Sequence, residues 1–321
     1  MFENPLPGVP AVESPFFDAI FRNSQVDEHT LSIAKQLRED GFAVIEFPDD
    51  EFDRIADEIR HDLHGRYDWE HWRATGYEAG DSLRLQDAFK FNENVRRIAT
   101  NAKVIKLLSD VFQRQAWPFQ TLNFPVGTQQ HFHTDSVHFS SMPERFMCGV
   151  WTAFEDISQD AGPLVYYPGS HKWPIYTNEH IAVRATDKAK TVHQYGVLWR
   201  NLVEQAGIEP QRFTPRKGQA LIWLSNLLHG GDKQSNPNAT RWSQVTHYYF
   251  EGCSYYTPPH SDPFLGRIAF RQMTNICSGK PVENAYSGAP VPLAFIRSAS
   301  GSASLMGRAK TLLHPIKRFI S

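Results

Sequence analysis

The stretch QQHFHTDSVHF, residues 129–139, places three histidines and an aspartate within eight positions. Alternate residues of a β-strand share a face, so a regular strand here sets His131, His133 and Asp135 side by side, with His138 just beyond. His133 and Asp135 then offer an imidazole nitrogen and a carboxylate oxygen, two donors of a metal site. A third donor lies downstream, where LIWLSNLLHGGD (221–232) reads as an apolar strand that ends at His229 before Gly230 and Gly231. Two imidazoles and one carboxylate fill one face of an octahedral metal and leave three positions open, the donor set of non-haem Fe(II) oxygenases. A bidentate co-substrate takes two of those positions and dioxygen the third. Neither the His-x-Asp pair nor the His-Gly-Gly stretch is specific alone; their combination carries the reading.

Twelve residues after His229, TRWSQVTHYYF (240–250) opens a strand with Arg241. Alternation puts Arg241, Ser243, Val245 and His247 on one face. A guanidinium on a buried face needs an anion. One partner is the far carboxylate of a 2-oxo acid co-substrate, gripped by the arginine fork with the Ser243 hydroxyl added. The other is a protein acid, Glu155 or Asp156.

These side chains need elements to hold them. Asp27 caps a helix through about Asp40, with Leu31, Ala34 and Leu37 on one face and Gly41 closing it. FAVIEF (42–47) reads as a strand. A second helix carries Phe52, Ile55, Ala56, Ile59 and Leu63, and a third, about 102–113, carries Val104, Leu107, Leu108, Val111 and Phe112. Residues 64–90 favour neither state. From 117 to 250 the chain turns to short segments rich in β-branched and aromatic residues, punctuated by Gly, Pro and Asn. A helix at about 189–206, ended by Gly207, interrupts them. Helices first and a sandwich of strands next predict an α+β fold with a jelly-roll core. No linker divides the chain, so a single domain over 1–321 is expected, with a core at about 38–252 and an irregular extension at 253–321.

Bulk properties narrow the function classes. The chain has 321 residues, 41% of them hydrophobic, enough for a sizeable core. A net charge of -2 gives no basic field for nucleic acid. Cys148, Cys253 and Cys277 form neither a disulfide framework nor a zinc pattern, which predicts reduced thiols and a cytoplasmic location. The N-terminus lacks the pattern of a secretory signal, and no apolar run is long enough to span a bilayer. After Glu283 the charged residues are basic, including Arg297, Arg308, Lys310, Lys317 and Arg318. That tail reads either as a terminal segment docked on its own domain or disordered, or as a short amphipathic element that touches anionic membrane or an acidic partner.

The chain resembles the phytanoyl-CoA dioxygenase family of Fe(II)/2-oxoglutarate-dependent oxygenases. The marks are HTD at 133–135, AGPLVYYPGSHKWP at 161–174, and LLHGG at 227–231 followed by Arg241. The resemblance implies a double-stranded β-helix (a jelly-roll, cupin-like core with flanking helices) and iron ligands at His133, Asp135 and His229. It also implies Arg241 on the tail carboxylate of 2-oxoglutarate, with Trp151 packed against the same molecule. The activity implied is hydroxylation of a C–H bond of a small-molecule, lipid or sugar-type substrate, using Fe(II), 2-oxoglutarate and O2 and giving succinate and CO2. Two other readings fit the residues alone: a cupin-like isomerase or hydrolase that uses no 2-oxoglutarate, and a jelly-roll binding module without turnover. His131 and His138 are expected near the site rather than on the metal. His171 is expected to order its loop and His247 to be a hydrogen-bonded core residue. Arg84, Gln86 and Lys90 are candidates for the pocket wall.

Overall fold

The computed structural model describes residues 3–74, 83–293 and 296. Helices lead. After α1 (Phe17–Asn23), α2 (Glu28–Asp40) begins where Asp27 accepts the Thr30 N–H at 2.7 Å, and Gly41 ends it in the left-handed region at φ 86°. Strand β1 (Phe42–Glu46) follows, then α3 (Phe52–His64), α4 (Trp69–Ala74), the short β2 (Leu85–Gln86), α5 (Glu93–Ala99) and α6 (Ala102–Phe112). Asn101 caps α6 by accepting from the N–H groups of Lys103 and Val104. The apolar stripes expected on α2, α3 and α6 are buried at Leu37, Ile55, Ile59, Val104 and Leu108, each contributing about 2 kcal/mol.

The second half supplies β3 (Ala116–Phe124), a single helical turn α7 (Asp135–His138), β4 (Ser140–Met142), β5 (Met147–Ala153) and β6 (Leu164–Tyr166). The remaining elements are α8 (Lys188–Ala206), β7 (Gln211–Phe213), β8 (Gln219–Leu224), β9 (His229–Gly231), β10 (Ser243–Phe250) and β11 (Ser254–Tyr256). A six-stranded antiparallel sheet runs β1-β8-β5-β10-β3-β2, and a smaller one runs β7-β6-β9. Phe124, Trp151, Leu221 and Val245 of the large sheet meet Leu164, Tyr166 and Phe213 of the small one in a shared core. The other face of the large sheet is covered by the helices through a second core that joins Leu37, Ile59 and Leu108 to Val150 and Ile222. Hydrogen bonds tie that face to α5 as well: Gln244 Nε2 donates to Val95 O at 3.1 Å, and Tyr248 Oη to Ala99 O at 2.9 Å. Tyr195 and Trp199 of α8 close the outer side of the small sheet over Tyr167 and Leu228. The fold is α+β with a double-stranded β-helix core, as the sequence predicts.

Register fixes what faces the space between the sheets. Across β3, β10, β5 and β8 one row reads Gln120, His247, Gly149, Trp223, and the next reads Leu122, Val245, Trp151, Leu221. Gly149 is required there because a Cβ at that position would overlap the Trp223 indole. The glycine pair after His229 has a similar cause. A Cβ on Gly230 would stand 2.7 Å from the carbonyl oxygen of Gln130, so only glycine lets the 128–133 segment lie against β9.

Candidate metal centre and co-substrate pocket

His133 and His229 are brought together by main chain. The two residues exchange N–H···O bonds of 2.9 and 3.0 Å, an isolated bridge at the edge of the small sheet. The strand expected over 131–135 is therefore reduced to that one pair. Asp135 belongs not to a strand but to α7, whose first residue it is. The turn still directs its carboxylate between the rings: His133 Nε2 lies 3.8 Å and His229 Nε2 4.0 Å from Asp135 Oδ1. The donor atoms of the three residues all fall within 4.8 Å of one another, a spacing that one metal ion can bridge.

The protonation states suit a metal. His133 Nδ1 is 3.0 Å from His131 O, and His229 Nδ1 is 2.9 Å from Leu227 O. A carbonyl can only accept, so each Nδ1 carries the proton and each Nε2 keeps its lone pair for the ion. Burial, with His229 beside it, holds the His133 ring below its ordinary value, which favours the neutral imidazole. Burial also works to raise the Asp135 carboxyl, but the surrounding imidazoles and the Trp223 N–H hold it below its ordinary value. Trp223 Nε1 donates to Asp135 Oδ2 at 2.8 Å, and His247 Nε2 lies 3.7 Å from the same oxygen.

Arg241 does not open the strand; β10 starts two residues later, at Ser243. Its side chain is nevertheless buried, at 2% exposure, and it lines the same cavity of about 500 Å³ as the three donors. Neither protein acid takes it. Glu155 accepts the Trp242 N–H and pairs with Arg60, while Asp156 accepts the Lys217 N–H. Arg241 Nη1 donates to Gly162 O at 3.0 Å, Nε has no partner, and the guanidinium carbon is 5.7 Å from the Trp151 ring. Burial lowers its pKa to about 10, which leaves it charged at neutral pH. An unpaired buried cation is unstable in place unless an anion joins it. Trp151 lines the cavity too. Ser243 does not: its hydroxyl donates to Arg241 O at 3.3 Å and supports the arginine's main chain instead.

The other expected residues divide. His131 is exposed and reaches the site through its carbonyl rather than its ring. His138 lines the cavity, with its ring 5.6 Å from that of His133. His171 sits outside the cavity, near Arg38 O at 3.1 Å, and orders the 161–174 loop. His247 is a buried neighbour of Gln120, 3.0 Å away. Arg84 and Gln86 line the cavity, but Lys90 does not; it turns out toward Asp87 in a 3-10 turn that ends the alternation. The sequence did not single out Trp223, Arg271 or His260, all of which line the cavity. Trp223 becomes visible only once the register sets it against Gly149. The basic tail lies outside the described residues. Among the described residues no helix is long and apolar enough to cross a membrane.

The family model for phytanoyl-CoA dioxygenase matches residues 31–241. The chain belongs to that family, and with its His-Asp-His group it falls in the class of iron- and 2-oxoglutarate-dependent oxygenases. Solved structures share the fold at low identity. The non-heme alpha-ketoglutarate-dependent carbocyclase SnoK from nogalamycin biosynthesis is 14% identical at TM-score 0.56, over 81% of this chain and 95% of that one. The alpha-ketoglutarate-dependent epimerase SnoN from the same biosynthesis is 16% identical at TM-score 0.54, over 82% and 95%. EctD from S. alaskensis, solved with 2-oxoglutarate and 5-hydroxyectoine, is 14% identical at TM-score 0.51, over 75% and 80%. No curated protein sequence matches the chain.

Proposed function

We propose that this oxygenase hydroxylates a C–H bond of a small molecule, converting 2-oxoglutarate and O2 to succinate and CO2. The observation that carries the reading is Arg241, a buried cation without a carboxylate, in the cavity that also holds the three metal donors. A cupin-like isomerase or hydrolase has no use for that charge.

In this reading His133, Asp135 and His229 hold Fe(II), which when bound supplies oxidising chemistry with O2. The rest is the work of the chain. Arg241 receives the distal carboxylate, and Trp151 walls that end of the cavity and raises the strength of the ion pair by excluding water. Trp223 and His247 fix the Asp135 carboxylate, and the His131 and Leu227 carbonyls fix the two tautomers. Ser243 acts through the Arg241 backbone. Asp135 keeps a metal position filled by oxygen rather than open to halide, which favours hydroxylation over halogenation. The epimerase and carbocyclase among the similar structures mark other outcomes that one such centre supports.

Narrower parts of the proposal are a lipid or sugar type of substrate, a cytoplasmic location, one domain with its oxygenase core at about 38–252, and membrane contact by the basic tail. The last is tested by liposome cosedimentation with and without residues 304–321. The central test is anaerobic titration of the metal-free protein with Fe(II) and then 2-oxoglutarate. A visible metal-to-ligand charge-transfer band should form in the wild type and be lost in His133→Ala. Metal binding without any band would sink the 2-oxoglutarate reading.

A further inference from the structure

Three arginines line the cavity, Arg241, Arg84 and Arg271, with His138 and His260. Among the described residues, the carboxylate lining the cavity is that of Asp135 alone. If the centre is loaded as proposed above, the charges of Fe(II), Asp135, Arg241 and the two carboxylates of 2-oxoglutarate cancel. The Arg84 and Arg271 guanidiniums are then left over.

Among the described residues no acid pairs with either. Arg271 Nη1 donates to Thr257 Oγ1 at 3.2 Å and lies at 3.5 Å from His138 O, while its buried Nε has no partner. Its guanidinium carbon stands 4.8 Å from the Phe139 ring centroid. Its main chain is pinned: Arg271 N–H donates to Tyr255 O at 2.7 Å, and Asn284 Nδ2 donates to Arg271 O at 3.2 Å. A half-buried guanidinium held in place, without an acid, has the form of a preset anion receptor. Arg84 is exposed and lines the same cavity, and it makes no ion pair among the described residues. Arg271 reaches the His138 carbonyl, and the His138 ring lies 5.6 Å from that of His133, so the anion would stand close to the metal centre.

We infer that the substrate carries an anionic oxygen group, a carboxylate or a phosphate ester, which Arg271 receives, the exposed Arg84 adding its charge to the same cavity lining. This rests on the iron and 2-oxoglutarate reading of the site. The Arg271 guanidinium would orient the substrate so that a carbon beyond the anionic group faces the three donor residues that line the same cavity.

The test is calorimetric titration of the anaerobic Fe(II)·2-oxoglutarate protein with hexanoate, hexyl phosphate and neutral hexanamide. The charge-transfer band is recorded on each sample. At least one anion should bind about 10- to 100-fold more tightly than the amide. Which anion does so separates the carboxylate from the phosphate source. Arg271→Gln should remove most of that advantage and the exposed Arg84→Gln part of it while the band persists, and Arg271→Glu should reverse it. A band with no preference for anions, or a preference unmoved in both Gln variants, overturns the inference and leaves the iron reading standing. Absence of the band in the wild type overturns both, the charge balance having lost its basis.

Discussion

Two arginines of this chain, one half-buried and one buried, live in opposite circumstances. Arg145, on the approach to β5, pairs with Glu13 at 2.5 Å and donates to the carbonyls of His171 and Trp173 at 2.8 and 2.9 Å. Its charge is spent inside the fold, where it staples the N-terminal segment to the 161–174 loop. Arg241 is more deeply buried, yet among the described residues it has one carbonyl, an indole face and no acid. Folding satisfies the first arginine. The second is satisfied only by something the fold does not contain. The contrast separates residues that hold the structure from residues that await a ligand.

The largest effect expected lies wholly on the ligand side. His229→Ala should lower turnover by roughly 1000-fold or more, since a catalytic metal is worth several kcal/mol of barrier. Its melting temperature should stay near that of the wild type, as read by calorimetry of the metal-free forms. Arg145→Met should do the reverse. Breaking this half-buried pair strands Glu13, a loss of about 1 to 3 kcal/mol in chemical denaturation, while the 2-oxoglutarate needed for half-saturation stays put. Arg241→Met should raise that concentration about 10- to 100-fold by removing a charge-assisted pair. Because it also removes an unpaired buried charge, the metal-free variant should be no less stable than wild type. Equal destabilisation by the Arg145 and Arg241 changes would erase the comparison.

Smaller effects sharpen it. Gly149→Ala should displace Trp223 from Asp135 and weaken metal binding about 10-fold, measured by chelator competition. His171, on the structural side, is held by burial down to about 4 in the folded chain against an ordinary 6.5. As pH falls, the unfolded chain takes up that proton first. Stability from this group is therefore whole above pH 6.5 and declines as pH drops toward 4, by at most about 1.4 kcal/mol per pH unit. Urea midpoints across that range should show a shallower slope for His171→Gln, while Asp135, on the ligand side, keeps its own.

Much of this division could be read in the sequence, and the reason is local. HTD, HGG and Arg241 lie within a few residues of the elements that position them, so spacing was enough to bring them together. The helix stripes were visible for the same reason: Asp27 and Asn101 cap their own helices. What local spacing could not show depends on register and on distant chain. Alternation predicted a strand through Asp135, but a strand needs a partner, and only His133 finds one, on His229. Ser243 has the expected parity, yet its hydroxyl turns to the carbonyl two residues before it. Trp223 faces Asp135 only because Gly149 falls opposite it across the sheet. Arg271 belongs to an extension that reads as irregular, and a single backbone bond from its N–H to Tyr255 O brings it to the cavity.

The Trp223 hydrogen bond has a practical side. The indole donates to the oxygen of one donor residue and sits with its ring 5.1 Å from that of another, His229. An ion joining those residues must alter the electric field across the indole and offer a path for its excited state to decay. One of the eight tryptophans is thus wired to the centre. Emission from the untreated protein, followed as Fe(II) is added or stripped, reads the occupancy of the site as light, before any substrate is known.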